Sequence, residues 1–273
     1  MLWAAAALIA LQGAPAQAAA GPLAGRKVVF LIAENEYRAW QTLPAFGERL
    51  ERQEGVRCEY LVSSTDDKDT NRFFIPRMEK VGGADLVVVF ARRRALPAAQ
   101  MAILRAYLDS GLPLIGIRTA SHAFDANMAV ARKGGGPTAA NLTLPAGLDE
   151  WKTFDRDVLG CSYHGHYEPG VETVVTTPPS SRGHPLLRGV PASFRSPSWL
   201  YEVQPLAPGA QAVLLGEIPG KPPEPVLITN TGKQGGRIVY TTLGHWEDFD
   251  QPAFRRVLVN SVFWALGLEV PES

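Results

Sequence analysis

Histidines and arginines placed directly after apolar runs carry most of the chemistry this 273-residue chain can offer. His245 and Glu247 stand two residues apart, just beyond the run Arg237 to Thr242. An imidazole titrates near neutrality, and a neighbouring carboxylate can fix its tautomer and support its protonated form, as a general base requires. Alternatively, Glu247, Asp248 and Asp250 simply complement the dipole of the helix that follows. Arg118 ends another apolar run, and its guanidinium stays protonated and cannot act as a nucleophile at neutral pH. It either stabilises an anion or pairs with a carboxylate. Arg92, Arg93 and Arg94 follow a third run; adjacent side chains diverge, so one or two would face a ligand as oxyanion stabilisers, or all three are solvated. His164 and His166 share one face if their segment is extended. They suit substrate hydrogen bonding, a structural role, or a metal pair that still lacks a third ligand. His122 follows Arg118 within one turn. Glu34, Glu36 and Tyr37 follow the first apolar run, with Glu36 a candidate acid or base and Tyr37 a hydrogen-bond partner for a ligand hydroxyl. His184, before a proline, reads as structural.

These residues need elements to position them. Lys27 to Ile32, Asp85 to Phe90 and Leu114 to Ile117 are compact apolar runs, as expected of strands buried on both faces. Glu59 to Val62 is a fourth, shorter strand. Leu43, Phe46 and Leu50 recur at helical spacing from a cap at Thr42 through Glu54, a weaker helix covers about Arg72 to Lys80, and Pro97 opens a helix ending at Ser110-Gly111. Later strands are expected at Val171 to Val175, Val213 to Leu215, Val226 to Thr229 and Arg237 to Thr242, and a closing helix begins at Pro252. Alternating buried strands and amphipathic helices imply parallel crossovers with helices on both faces: a doubly wound, mostly parallel α/β sheet. In such sheets ligands sit beyond the carboxyl ends of the strands, where the candidate residues lie. Lys133 to Glu150, with three consecutive glycines and no apolar period, reads as a long surface excursion.

Hydrophobic residues make up 46% and charged residues 20%, so a large core is available. Lys plus Arg and Asp plus Glu number 27 each, so no net charge draws the chain to nucleic acid or a membrane surface. Leu2 to Leu11 is too short to span a bilayer, and the small-x-small triplet Ala16-Gln17-Ala18 suits signal peptidase. The expectation is a signal peptide over 1–18, export to the periplasm or medium, a single domain over 19–273 and no membrane span in the mature chain. Against it, no Lys or Arg precedes the apolar run. Cys58 and Cys161 could pair in an oxidising compartment, but two cysteines do not make a disulfide framework, and unlinked thiols are favoured.

Gly116-Ile117-Arg118-Thr119-Ala120-Ser121-His122 resembles the nucleophile elbow of class I glutamine amidotransferases, with Arg118 where those enzymes carry the catalytic cysteine. The same enzymes place a His-x-Glu pair after a late strand, which His245 and Glu247 match. Thiol chemistry, and with it glutamine hydrolysis, is excluded at that position. A closer resemblance is to the ThuA-like (trehalose utilisation) family. It is carried by Glu34 to Tyr37 with Thr42 to Phe46, Arg92 to Pro97, Gly116 to Phe124, Tyr163 to His166, His184 to Gly189 and Tyr240 to His245, in that order along nearly all of the chain. The resemblance implies a flavodoxin-like, amidotransferase-type fold and a role in carbohydrate catabolism, near enzymes that make 3-keto sugars. On that basis His245, Arg118, Glu247 and Glu36 are expected to be catalytic, with Arg92, Arg93, Arg94, His122, Tyr37, Tyr163, His164 and His166 around the substrate. No cofactor and no resident metal are expected; the partner is a small carbohydrate, and a homo-oligomer is left open. The alternatives are a carbohydrate-binding protein without catalysis and a metal-assisted hydrolase using His164 and His166.

Overall fold

Strand β1 (Lys27–Ala33) is buried from its second residue onward, because helices cover both faces of the sheet around it. Val28, Phe30 and Ile32 point to one core, and Val29, Leu31 and Ala33 to the other, following the two-residue period of a strand. Helices α1 (Ala39–Glu54) and α3 (Pro252–Ala265) close the first core, and α2 (Ala98–Asp109) closes the second. The computed structural model describes residues 21–64, 70–126 and 144–272. The expected signal peptide and most of the 133–150 excursion lie outside the described residues.

The remaining strands of the main sheet are β2 (Arg57–Val62), β3 (Leu86–Ala91), β4 (Leu114–Ile117), β5 (Thr173–Thr176), β6 (Ser193–Ser196), β7 (Gln211–Glu217), β8 (Glu224–Thr231) and β9 (Arg237–Thr241). Their spatial order is β2-β1-β3-β4-β9-β8-β7-β5-β6. Pairing is parallel from β2 through β9 and antiparallel from β9 to β6. The expected flavodoxin-like, doubly wound architecture therefore forms the core, extended by an antiparallel flank. Chain order reverses at β1 and β3, so the crevice for a ligand lies beyond their carboxyl ends.

Two sequence expectations change. The first helix starts at Ala39, not Thr42, and Pro44 lies inside it. Its N-cap residue, Arg38, has φ 55° and no side-chain cap; the Glu34 carboxylate instead accepts the Ala39 amide at 2.6 Å. The weak helix at Arg72 to Lys80 is two short 3₁₀ turns, Thr70–Phe73 and Met78–Gly83. Among the described residues no helix is long and apolar enough to cross a membrane.

Candidate active site

The site is built from the turn after β4. Arg118 has φ 46°, a left-handed conformation uncommon for a residue with a Cβ. Three ties fix this turn against β9. Tyr240 Oη donates to the Arg118 carbonyl at 2.8 Å, Arg118 Nη1 donates to the Thr242 carbonyl at 2.9 Å, and Gly244 packs against Ile117 so closely that a Cβ there would meet its Cγ2 at 2.7 Å. Arg118 Nη2 donates to Tyr37 Oη at 3.2 Å. The guanidinium carbon lies 4.2 Å from the Tyr37 ring centre and 4.6 Å from that of Tyr201. Its Nε has no hydrogen-bond partner among the described residues, and the whole side chain is buried. Burial works against the charge, but the Tyr201 and Tyr37 oxygens and Asp248 together more than offset it, so the group stays cationic. Arg118 is thus a fixed charge beneath two aromatic rings and does not reach solvent.

Contacts run outward from it in both directions. The His245 ring meets Tyr37 edge-on at 6.0 Å and lies 3.6 Å from the Trp246 ring. On the other side Tyr201 meets Tyr163 at 5.0 Å, and Tyr163 stacks on His122 at 4.4 Å. His166 lies 6.3 Å from Tyr201 and 5.1 Å from Trp199. The elbow and the late histidine are therefore joined through Tyr37, with the Arg118 guanidinium turned inward beneath that ring and not at the mouth of the sheet.

Both buried imidazoles have their proton affinity lowered. Burial, then Arg93, Arg92, Arg118 and His166, push His122 well below the ordinary imidazole value. Its Nδ1 lies 3.1 Å from Ser121 Oγ. Burial also lowers His245, with Arg118 and Arg38 adding to the effect while Glu247 and Asp248 oppose it. His245 Nδ1 lies 3.2 Å from a Glu247 carboxylate oxygen and 3.5 Å from the Glu247 amide. When neutral at Nδ1 the ring accepts from that amide; when protonated there it donates to the carboxylate. Glu247 is thus placed to receive the ring as it takes up a proton.

The other expected residues divide. Glu36 pairs with Arg92 at 2.8 Å and Arg93 with Asp125 at 3.0 Å, so both arginines reach the rim already carrying counter-ions. Arg94 turns inward, completely buried, donating to the carbonyls of Arg92 and Ser64. Its neighbours explain the turn: the Arg93 and Arg94 amides are tied to the carbonyls of His122 and Ala123. Glu34 is not at the rim either; buried, it accepts the amides of Glu36, Tyr37 and Ala39 and so sets the loop that carries Tyr37. His164 is exposed and contributes its backbone amide to the Glu202 carbonyl. His166 is exposed, with Nδ1 2.7 Å from the Tyr167 carbonyl. Among the described residues no group of three or more His, Cys, Asp or Glu side chains is arranged to hold a metal ion. His184 caps the turn Pro185–Leu187, as expected of a structural residue. Cys58 and Cys161 are unpaired, and burial raises both thiols, Cys58 to about 12.

Asp248 is the residue that sequence reasoning undervalued. It is wholly buried and accepts from Ser196 Oγ (2.7 Å), Ser198 Oγ (2.6 Å) and the amides of Gly244 (2.9 Å) and His245 (3.0 Å). It therefore pins the histidine turn to the end of β6. The signal was present as a carboxylate three residues after His245, the spacing of a capping box, but it was indistinguishable from a dipole-favoured surface acid. Tyr201 and Trp199 carried no local motif.

The sequence model of the ThuA family, described as trehalose utilisation, matches residues 28–265. The chain belongs to the ThuA family. Among solved structures, a ThuA-like protein from Parabacteroides merdae ATCC 43184 superposes with a TM-score of 0.60 at 16% identity, covering 91% of this chain and 92% of that one. A beta-galactosidase from the Antarctic haloarchaeon Halorubrum lacusprofundi gives a TM-score of 0.50 at 14% identity, over 92% of this chain and 32% of that chain. At these identities the likeness is one of fold. No curated protein matches the sequence. Membership of ThuA gives this chain a carbohydrate-related role.

Proposed function

We propose that this ThuA protein acts on a keto sugar or glycoside, such as a 3-keto glycoside, by proton transfer through His245, with no covalent thiol intermediate. The observation that carries the reading is Tyr37, which touches both the cationic elbow residue and the edge of the candidate base. A carbonyl acidifies the C–H beside it. His245 takes that proton through Nε2, the C–H electron pair forms a C=C bond, and the carbonyl pair moves onto oxygen. Reprotonation at the former carbonyl carbon, as the hydroxyl on the neighbouring carbon becomes a carbonyl and its proton passes to the oxyanion, gives an isomer. Alternatively, the oxygen pair returns and a leaving group on the carbon beyond the former C–H departs with its bonding electrons, giving elimination. Glu247 supports the imidazolium that forms, and the permanent charge of Arg118 favours the enediolate electrostatically from below the aromatic layer. Arg92 and Arg93 lie nearer solvent and serve substrate binding, while Glu36 holds Arg92 in place. Tyr163, His122 and His166 line the other side.

The test is turnover of 3-keto glycosides by His245→Ala, with circular dichroism as the check on folding. A general base contributes about 10²- to 10⁴-fold, so the variant is expected to lose at least about 100-fold. Undiminished turnover rejects the assignment. Saturable binding of the glycoside by calorimetry, with no product from the native protein, would instead identify a carbohydrate-binding protein on the same fold.

A further inference from the structure

The outer face between α1 and α3 holds a cavity of about 230 Å³ lined by Arg38, Arg49 and Arg255, with Trp246 among its walls and Asp250 as its acidic lining residue. A second cavity of about 320 Å³ shares Phe46, Arg49 and Arg255 with the first and adds Arg256 without any acidic side chain. The seam thus gathers four guanidinium groups, with Asp250 in its lining and Glu54 acting on Arg256 as the opposing carboxylates.

Two features separate this from an ordinary solvated surface. The Arg49 guanidinium makes no hydrogen bond or ion pair among the described residues, and Arg38 is held by a ring, 4.6 Å from the Trp246 centre, not by a carboxylate. Arg255 is fixed from behind, its Nη1 donating to the carbonyls of Phe249 (3.1 Å) and Asp250 (2.7 Å). Like charges collected in a concave, partly apolar seam repel one another unless an anion enters. The planar fork of a guanidinium matches the oxygens of a phosphate or carboxylate.

We propose that the α1–α3 seam is a binding site for a small ligand bearing an oxyanion, a phosphate ester or a carboxylate, held by Arg49, Arg255 and Arg38. The ligand is coupled to the rim above. The Trp246 ring lies tilted against His245 and supports Arg38, and Arg38 is one of the charges facing that imidazole, with Arg118 on the same side of the balance and Glu247 and Asp248 opposing. An anion beside Arg38 cancels part of its field and makes His245 easier to protonate. The site does not depend on the reaction proposed above, since His245 serves here as a reporter and no turnover is required.

The experiment uses the full chain at constant ionic strength set with sodium chloride. Inorganic phosphate and glucuronate are titrated in turn by calorimetry, and the His245 ring is followed by NMR across pH. Saturable binding of either probe, with an upward shift of the His245 midpoint, is expected. Binding by phosphate alone identifies a phosphate ester as the ligand class, and by glucuronate alone a carboxylate. A charge-assisted fork contributes about 1.5–3 kcal/mol, so Arg49→Ala is expected to weaken binding at least about tenfold, and Arg255→Gln likewise. Both residues reach the surface, and Arg49→Lys, which keeps the charge without the fork, gives an intermediate affinity. No binding beyond that of chloride, or binding unchanged in both Arg49→Ala and Arg255→Gln, overturns the proposal.

Discussion

Arg118 and His122 lie within one turn of each other and answer burial in opposite ways. The guanidinium keeps its proton because its intrinsic affinity is high and aromatic oxygens surround it, whereas the imidazole gives its proton up. This has a consequence for stability. Between the ordinary value of 6.5 and the depressed native value of His122, the unfolded chain binds more protons than the native one, so stability rises with pH across that window. His245 and His184 slope the same way. The buried Glu34, whose carboxyl is raised by burial, slopes the other way above 4.5, so the wild-type curve alone does not isolate His122. Urea midpoints measured from pH 5 to 8 are expected to fall on acidification below about 6.5, and to fall less in His122→Gln. Equal slopes in the two proteins would mean that His122 keeps its ordinary affinity. At this scale the sequence showed that Arg118 carries a permanent charge, since that follows from residue type. It did not show that Tyr37 and Tyr201 cover the charge, because that contact is made across distant parts of the chain.

The turn from Gly244 to Asp248 depends on one carboxylate shared between backbone and side chains. Removing it leaves the Ser196 and Ser198 hydroxyls without an acceptor in the interior, and the Gly244 and His245 amides with only their longer contacts to Ser198 Oγ, at 3.2 and 3.1 Å. Asp248→Ala is therefore expected to cost at least about 3 kcal/mol in equilibrium unfolding. Asp248→Asn, which retains one acceptor oxygen, should cost less. Comparable stability in all three proteins would show that water replaces the lost contacts. Strand legibility follows the same physics. β1, β3 and β4 were readable because both faces are buried and the sequence is nearly continuously apolar. β6 was not, because an edge strand reading Ser-Phe-Arg-Ser is largely exposed and carries little apolar signal. Yet β6 supplies Ser196, which holds Asp248, so the support of the site was less visible than the site. The start of α1 was misjudged for a related reason: its amide is satisfied by Glu34, five residues upstream, and no local cap marks the position.

Across the whole molecule the parallel half delivers the elbow and the rim loops, while the antiparallel flank brings the serines under the histidine turn. Tyr163 reaches the centre from the segment that leads into that flank, and Tyr201 from the connection between β6 and β7. β9 is the strand where the two halves meet, and both halves of the candidate site are attached to it. The alternation of strands and helices disclosed the parallel half, whereas the antiparallel pairing of the flank was not legible, because a short apolar run carries no mark of its direction in the sheet.

The three ties between the Arg118 turn and β9 also govern how the molecule opens. Segments joined by a buried phenol, a buried guanidinium and a glycine with no room for a methyl cannot separate one at a time without exposing an unpaired donor or acceptor. They should breathe as a cooperative unit. In native-state hydrogen exchange, the slow amides of 118–122 and 244–248 are expected to share a common opening free energy and to lose protection together as urea is added. Distinct opening energies for the two stretches would show that they come apart independently.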